Sequence, residues 1–172
     1  MTTSARIVTS IAIAALAANA DSAECYAEVG LALNGVYAVT SNGQWATTND
    51  IYRDEAVVRS TWTITSSCRW LTLSECSGQV VSDQGWTAPL VSKGGEWRVE
   101  RTIPNWEPCP DGSAAEGHQL FHFYPVDEEG QLAIRGSATL AGQDKTTGPS
   151  GACGINMPIV ITMPLKLSLV SG

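Results

Sequence analysis

An all-β fold, an antiparallel sandwich or barrel of about eight strands stapled by disulfides, is what this sequence predicts. Three observations point there. Apolar and polar residues alternate with period two over several stretches, turn-forming clusters separate those stretches, and five cysteines follow an N-terminal segment that reads as an export leader.

The leader comes first in the chain. Arg6 is the only charge before Asp21, Ile7 to Ala18 is apolar and built of small residues, and Ala18-Asn19-Ala20 offers small side chains to a signal peptidase. The apolar run is too short to span a bilayer well. Residues 1–20 are therefore expected to be a cleaved signal peptide and residues 21–172 a single β domain. Glu24 directly before Cys25 spoils a lipoprotein site, and no later segment reads as a transmembrane anchor. Glu24–Leu33 can form a short helix.

Strands follow. In Val58–Ile64, Val58, Trp62 and Ile64 share a face opposite Arg59, Thr61 and Thr63. In Gly95–Ile103, Trp97, Val99 and Ile103 oppose Glu96, Arg98, Glu100 and Thr102. Gln131–Leu140 sets Leu132, Ile134, Ala138 and Leu140 against Gln131, Arg135, Ser137 and Thr139. The run from Met157 to Leu169 carries an apolar residue at every second position. Further strands are expected at Gly35–Ser41, Gly78–Asp83, Trp86–Val91 and His118–Tyr124, with turns at Ser41-Asn42-Gly43, Asp83-Gln84-Gly85, Lys93-Gly94-Gly95 and Asp127–Gly130.

If consecutive strands alternate in direction, their connections sort onto two ends. One end takes Asn42–Tyr52, Asp83–Gly85, Pro104–Gly117 and Ala141–Asn156; the other takes Cys68–Cys76, Ser92–Gly94 and Asp127–Gly130. Cys109 and Cys153 then fall in two long loops of the same end, and Cys68 and Cys76 flank one hairpin tip. Pairing Cys68 with Cys76 and Cys109 with Cys153 leaves Cys25 as the odd thiol.

Charged residues are 16% of the chain; the formal charge is −7, and −8 once Arg6 leaves with the leader (9 basic against 17 acidic residues). That balance argues against nucleic acid and anionic lipid as partners. It fits a secreted or envelope-associated location, and oxidised cysteines fit the same compartment.

Several stretches resemble a group of secreted mycobacterial and actinobacterial proteins of unknown function. They are Thr61-Trp62-Thr63-Ile64, Val81–Trp86, Pro104–Gly112, Phe123-Tyr124-Pro125-Val126 and Gly148–Gly154. There is a looser likeness to the extracellular sensor regions of some mycobacterial Ser/Thr kinases. The resemblance implies export, a β fold and paired cysteines; it does not supply an active site. Arg69–Glu75 is more apolar than the pattern, and Cys25 has no counterpart in it.

No catalytic constellation, metal site or cofactor motif is predicted. His118 and His122 share a face with Leu120 and Tyr124, about 13 Å apart along a strand, too far for one metal ion. Glu107, Asp111, Glu116 and Asp144 are the acids that could form a glycosidase pair, but exposed loop carboxylates are common in an acidic protein. Asp127-Glu128-Glu129 lacks the ligand spacing of a calcium loop. Tryptophan carries more information. Trp62 and Trp97 fall on core faces, whereas Trp45, Trp86 and Trp106 lie in or beside the loops of the first end. Aromatics bury much area with few rotors and suit binding surfaces, or else fold back to cap a core.

The leading expectation is thus a secreted or envelope-associated binding protein whose ligand, a protein or envelope component, meets Trp45, Trp106, Glu107, Asp111, Asp144 and Lys145. An apolar tip with Trp70, Leu71 and Leu73 is the rival surface. The alternatives are an extracellular hydrolase of envelope sugar or lipid, and a lipid carrier if the strands enclose a cavity.

Overall fold

The computed structural model describes residues 32–69, 75–133 and 137–172. The expected leader, Cys25, most of the helix expected at Glu24–Leu33, and the tip bearing Trp70, Leu71 and Leu73 lie outside these residues.

The chain forms β1 (Gly35–Ser41), β2 (Thr47–Thr48), β3 (Ile51–Tyr52), β4 (Val58–Cys68), β5 (Glu75–Ser82), β6 (Thr87–Lys93), β7 (Glu96–Pro108), β8 (Ala114–Pro125), β9 (Thr139–Thr147) and β10 (Val160–Ser171). Every pairing is antiparallel, in the order β1-β4-β5-β6-β7-β8-β9-β10, and β1 also pairs with β10. That last pairing closes the sheet. Of the two architectures the sequence left open, the protein adopts the barrel, with eight strands in its wall and β2–β3 as a small hairpin extending from β10. Closure removes the unpaired edges that an open sheet would expose.

Alternation decides which side chains fill the interior. Tyr37, Trp62, Ile64, Val80, Leu90, Trp97, Val99, Phe123 and Leu167 point inward and are buried. Their neighbours in sequence, such as Thr61, Thr63, Arg98 and Lys166, face solvent. Leu33, just before β1, joins the buried cluster; its N–H donates to Ser66 Oγ at 2.8 Å, so the incoming chain covers one end of the core.

Strand parity sorts the connections as expected, with altered boundaries. One end carries residues 42–57, 83–86, 109–113 and 148–159, called here the clasped end; the other carries residues 94–95, 126–133 and 137–138, beside the Cys68 end of β4. Cys68 and Cys76 are directly opposed partners on β4 and β5 and form a disulfide, with Cα atoms 4.0 Å apart. Cys109 and Cys153 form the second, with Cα atoms 4.9 Å apart, and tie the β7–β8 tip to the β9–β10 connection.

Two expectations about the last third of the chain are corrected. The strand expected at Gln131–Leu140 lies at Thr139–Thr147: Leu132 is 67% exposed, and its strand contact is a single bridge to Val126. The loop expected at Pro104–Gly117 is largely strand and that at Ala141–Asn156 begins as strand, since β7 runs to Pro108, β8 starts at Ala114 and β9 runs to Thr147. Asp144 and Lys145 therefore sit in a strand, and so do Trp106 and Glu107.

Candidate binding chamber at the clasped end

Inward alternation continues toward the clasped end, but the residues it delivers change character. On β7 the inward series Trp97, Val99 is continued by Arg101 and Ile103. On β8, Phe121 and Phe123 are preceded by Gln119; on β9, Leu140 is followed by Gly142, Asp144 and Thr146; on β1, Tyr37 and Val39 are followed by Ser41. The register sets Arg101 opposite Gln119 and Gln119 opposite Thr146. A polar belt thus crosses the barrel above its apolar filling.

The belt is hydrogen-bonded in sequence. Arg101 Nε donates to Gln119 Oε1 at 2.6 Å, Gln119 Nε2 donates to Asp144 Oδ1 at 2.7 Å, and Ser41 Oγ donates to Asp144 Oδ2 at 2.7 Å. Asp144 is only 3% exposed. Burial pushes its carboxyl above the usual range, opposed by the hydrogen bonds from Ser41 and Gln119 and by the charge of Arg101. Burial likewise pulls the Arg101 guanidinium downward, and Asp144 opposes it. The guanidinium carbon lies 4.4 Å from the centroid of the Trp86 ring, a cation–π contact. Trp86 in turn stacks on Phe121 with centroids 6.0 Å apart and meets the edge of Trp62 at 5.4 Å. Arg101 therefore rests on an aromatic base rooted in the core.

Against the belt lies a partly enclosed cavity of about 250 Å³, lined by Ser41, Trp62, Trp86, Arg101, Trp106 and Asp144 among others. Trp106 roofs one side. Between Ile103 and Glu107 the β7–β8 register gains extra residues on β7, and Asn105 takes a left-handed conformation at φ 54. Such bulges re-aim side chains. Here the ring of Trp106 is laid over Gly117: a Cβ there would meet Trp106 Cδ2 at 2.7 Å, so only glycine leaves room for the indole.

The expected surface residues are divided by the fold. Trp106 is half-buried at the mouth, Glu107 is buried, with Oε2 lying against Gly148 and lacking a partner among the described residues, and Asp144 is inside the barrel. Lys145, next to Asp144, points outward and is exposed. Asp111 caps the β7–β8 tip, accepting from Ser113 N at 3.0 Å and Ser113 Oγ at 2.6 Å. Trp45 is 70% exposed in a short 3-10 turn, Gly43–Trp45, at the same end. The acids considered for a hydrolytic pair thus occupy different surroundings; Glu116 lies outside, 3.6 Å from His118. Both histidines face outward, and His122 lies 3.0 Å from Glu96 through Nδ1 and 3.2 Å from Gln143 through Nε2.

Arg101 and Gln119 were not among the residues singled out by sequence. The signal was present: Arg101 has the parity of Trp97, Val99 and Ile103, and Gln119 that of Phe121 and Phe123. A charge or amide on an otherwise apolar face marks a buried polar site.

Comparison with known proteins bears on the fold. A solved monomeric form of the Mycobacterium tuberculosis PknI sensor domain is similar to this chain, with a TM-score of 0.57 and 16% sequence identity over 81% of this chain and 88% of that one. At that identity the likeness is one of architecture, and it agrees with the resemblance to extracellular sensor regions read from the sequence. No protein-family model matches the chain, and no curated protein matches it. Among the described residues no helix is long and apolar enough to cross a membrane.

Proposed function

We propose that this chain is an extracytoplasmic binding domain that takes a small ligand, or a small group of a larger envelope partner, into the chamber at its clasped end. The observation that carries the reading is the polar belt of Arg101, Gln119, Asp144 and Ser41 lining a partly enclosed cavity. A barrel that needs only to be stable fills its interior with apolar side chains, as this one does over the rest of its length. Eight-stranded barrels have room for such filling or for one small ligand. The two disulfides and the leader-like N-terminus support the compartment. The architecture shared with a sensor domain supports a binding role. A lipid carrier would need a long apolar cavity, and Trp97, Phe123, Leu90 and Leu167 occupy that space.

The Cys109–Cys153 bridge holds two of the chamber's rims together, which reduces the ordering cost of binding. Trp106 is then the aromatic anchor. Thermal unfolding and native mass spectrometry of the wild type against a panel of small metabolites should yield ligands that raise the Tm. Trp106→Ala should weaken those ligands at least about tenfold, since truncating a buried anchor costs about 2 kcal/mol or more, while cooperative unfolding is kept. Ligands that bind Trp106→Ala and Trp86→Ala as well as wild type would move the site elsewhere. Loss of cooperative unfolding in Trp106→Ala would make Trp106 a cap of the core.

A further inference from the structure

We infer that the chamber's ligand is a small monoanion, a carboxylate or an oxyanion of similar size joined to an apolar body, whose charged end is received by the terminal N–H groups of Arg101. The inference rests on the reading that this end binds, and it follows from a count of donors and acceptors. Buried polar groups are nearly always paired, so an imbalance identifies what is missing. The acceptors of the belt are engaged: Gln119 Oε1 by Arg101, Asp144 Oδ1 by Gln119 and Asp144 Oδ2 by Ser41. The donors are in excess. Arg101 is half-buried and uses its Nε on Gln119; its terminal nitrogens make no hydrogen bond or ion pair among the described residues and are not sealed from solvent, so a ligand can reach them. The indole N–H groups of Trp62 and Trp86, both belonging to residues that line the cavity, are buried without partners among the described residues. The group that completes this site is an acceptor.

Charge and size narrow it further. A planar guanidinium held on an aromatic face presents a fixed fork, the geometry that receives a carboxylate or other oxyanion through two hydrogen bonds. The nearby carboxylate of Asp144 accepts from Ser41 and Gln119 and makes no hydrogen bond or ion pair with the guanidinium, so the fork is free. At about 250 Å³ the cavity falls below the roughly 300–1,000 Å³ of pockets for drug-sized molecules. Val39, Ile103, Phe121 and Met163 supply apolar wall for the remainder of the ligand.

Benzoate is a suitable probe, with benzamide and benzylamine as neutral and cationic counterparts of the same size. Isothermal titration calorimetry with the full chain should show benzoate binding at least about tenfold tighter than either counterpart, a difference of about 1.4 kcal/mol. Arg101→Met should abolish the preference, Arg101→Lys should keep only part of it, and Trp86→Phe should weaken benzoate several-fold. If Arg101→Met does not fold, the benzoate-to-benzamide ratio on the wild type still decides. Equal affinity for benzamide or benzylamine, lost in Trp106→Ala, overturns the anion assignment and leaves the chamber as a binding site. No saturable response to benzoate at millimolar concentration also overturns it, and the Trp106→Ala comparison with metabolites then judges the wider reading on its own.

Discussion

The two halves of the barrel are built from the same strands and solve different problems. Near the Cys68–Cys76 hairpin the inward positions carry Trp97, Val99, Ile64, Phe123 and Leu140, packed with almost no exposure. Toward the clasped end the same strands supply Arg101, Gln119, Asp144 and Ser41, together with empty volume. Apolar burial contributes roughly 25 cal/mol per Å², so each polar residue placed inward forgoes stabilisation that an apolar one would give. The contrast teaches that the lower half makes the fold and the upper half spends some of that stability on a site.

The difference can be broken from either side. The largest effect should come from the lower half: Trp97→Ala opens a cavity in filled core and should cost about 3–5 kcal/mol in urea unfolding. Next are the disulfides. Replacing Cys109 and Cys153 by Ser should cost about 4 kcal/mol in the chain-entropy account, against about 2.6 kcal/mol for the shorter Cys68–Cys76 ring. Equal losses would show that native strain or residual unfolded structure outweighs loop length.

Asp144→Asn sharpens the comparison through pH. Because burial holds the native Asp144 carboxyl above its usual range, the folded chain binds that proton more tightly than the unfolded chain. The resulting stabilisation is fully present below the ordinary Asp range and is lost as pH rises through the raised native value. Relative to wild type, Asp144→Asn should therefore gain stability as pH rises from acid toward neutral, read as a pH-dependent shift in urea midpoint. A difference that stays constant over that range would contradict it. The smallest effect belongs to the outer surface. Arg98→Ala removes the 2.9 Å pair with Glu96, whose partners are both substantially exposed, and should cost no more than about 1 kcal/mol.

What the sequence made legible follows the same division. Period-two alternation locates β1, β4, β7 and β10 because their inward positions are mostly apolar. Parity alone then places Cys109 and Cys153 at one end, where the structure joins them. β9 was misplaced for a physical reason: its inward series is Leu140, Gly142, Asp144 and Thr146, which does not read as apolar, while the preceding Leu132 and Ala138 imitate the pattern. The Trp106 bulge was hidden as well, because its two supports, Gly117 and Gly148, come from other strands and loops. Polar function inside a barrel erases the signal by which the strand is recognised.

The central claim is that the clasped end binds and the filled end does not. Its most direct test is the set of tryptophan indole N–H resonances, followed as a ligand from the metabolite panel is titrated in. The account predicts saturable shifts of Trp86, Trp62 and Trp106, with Trp97 and the outlying Trp45 unmoved. Shifts confined to Trp97 or Trp70, with Trp62, Trp86 and Trp106 unmoved, would contradict it.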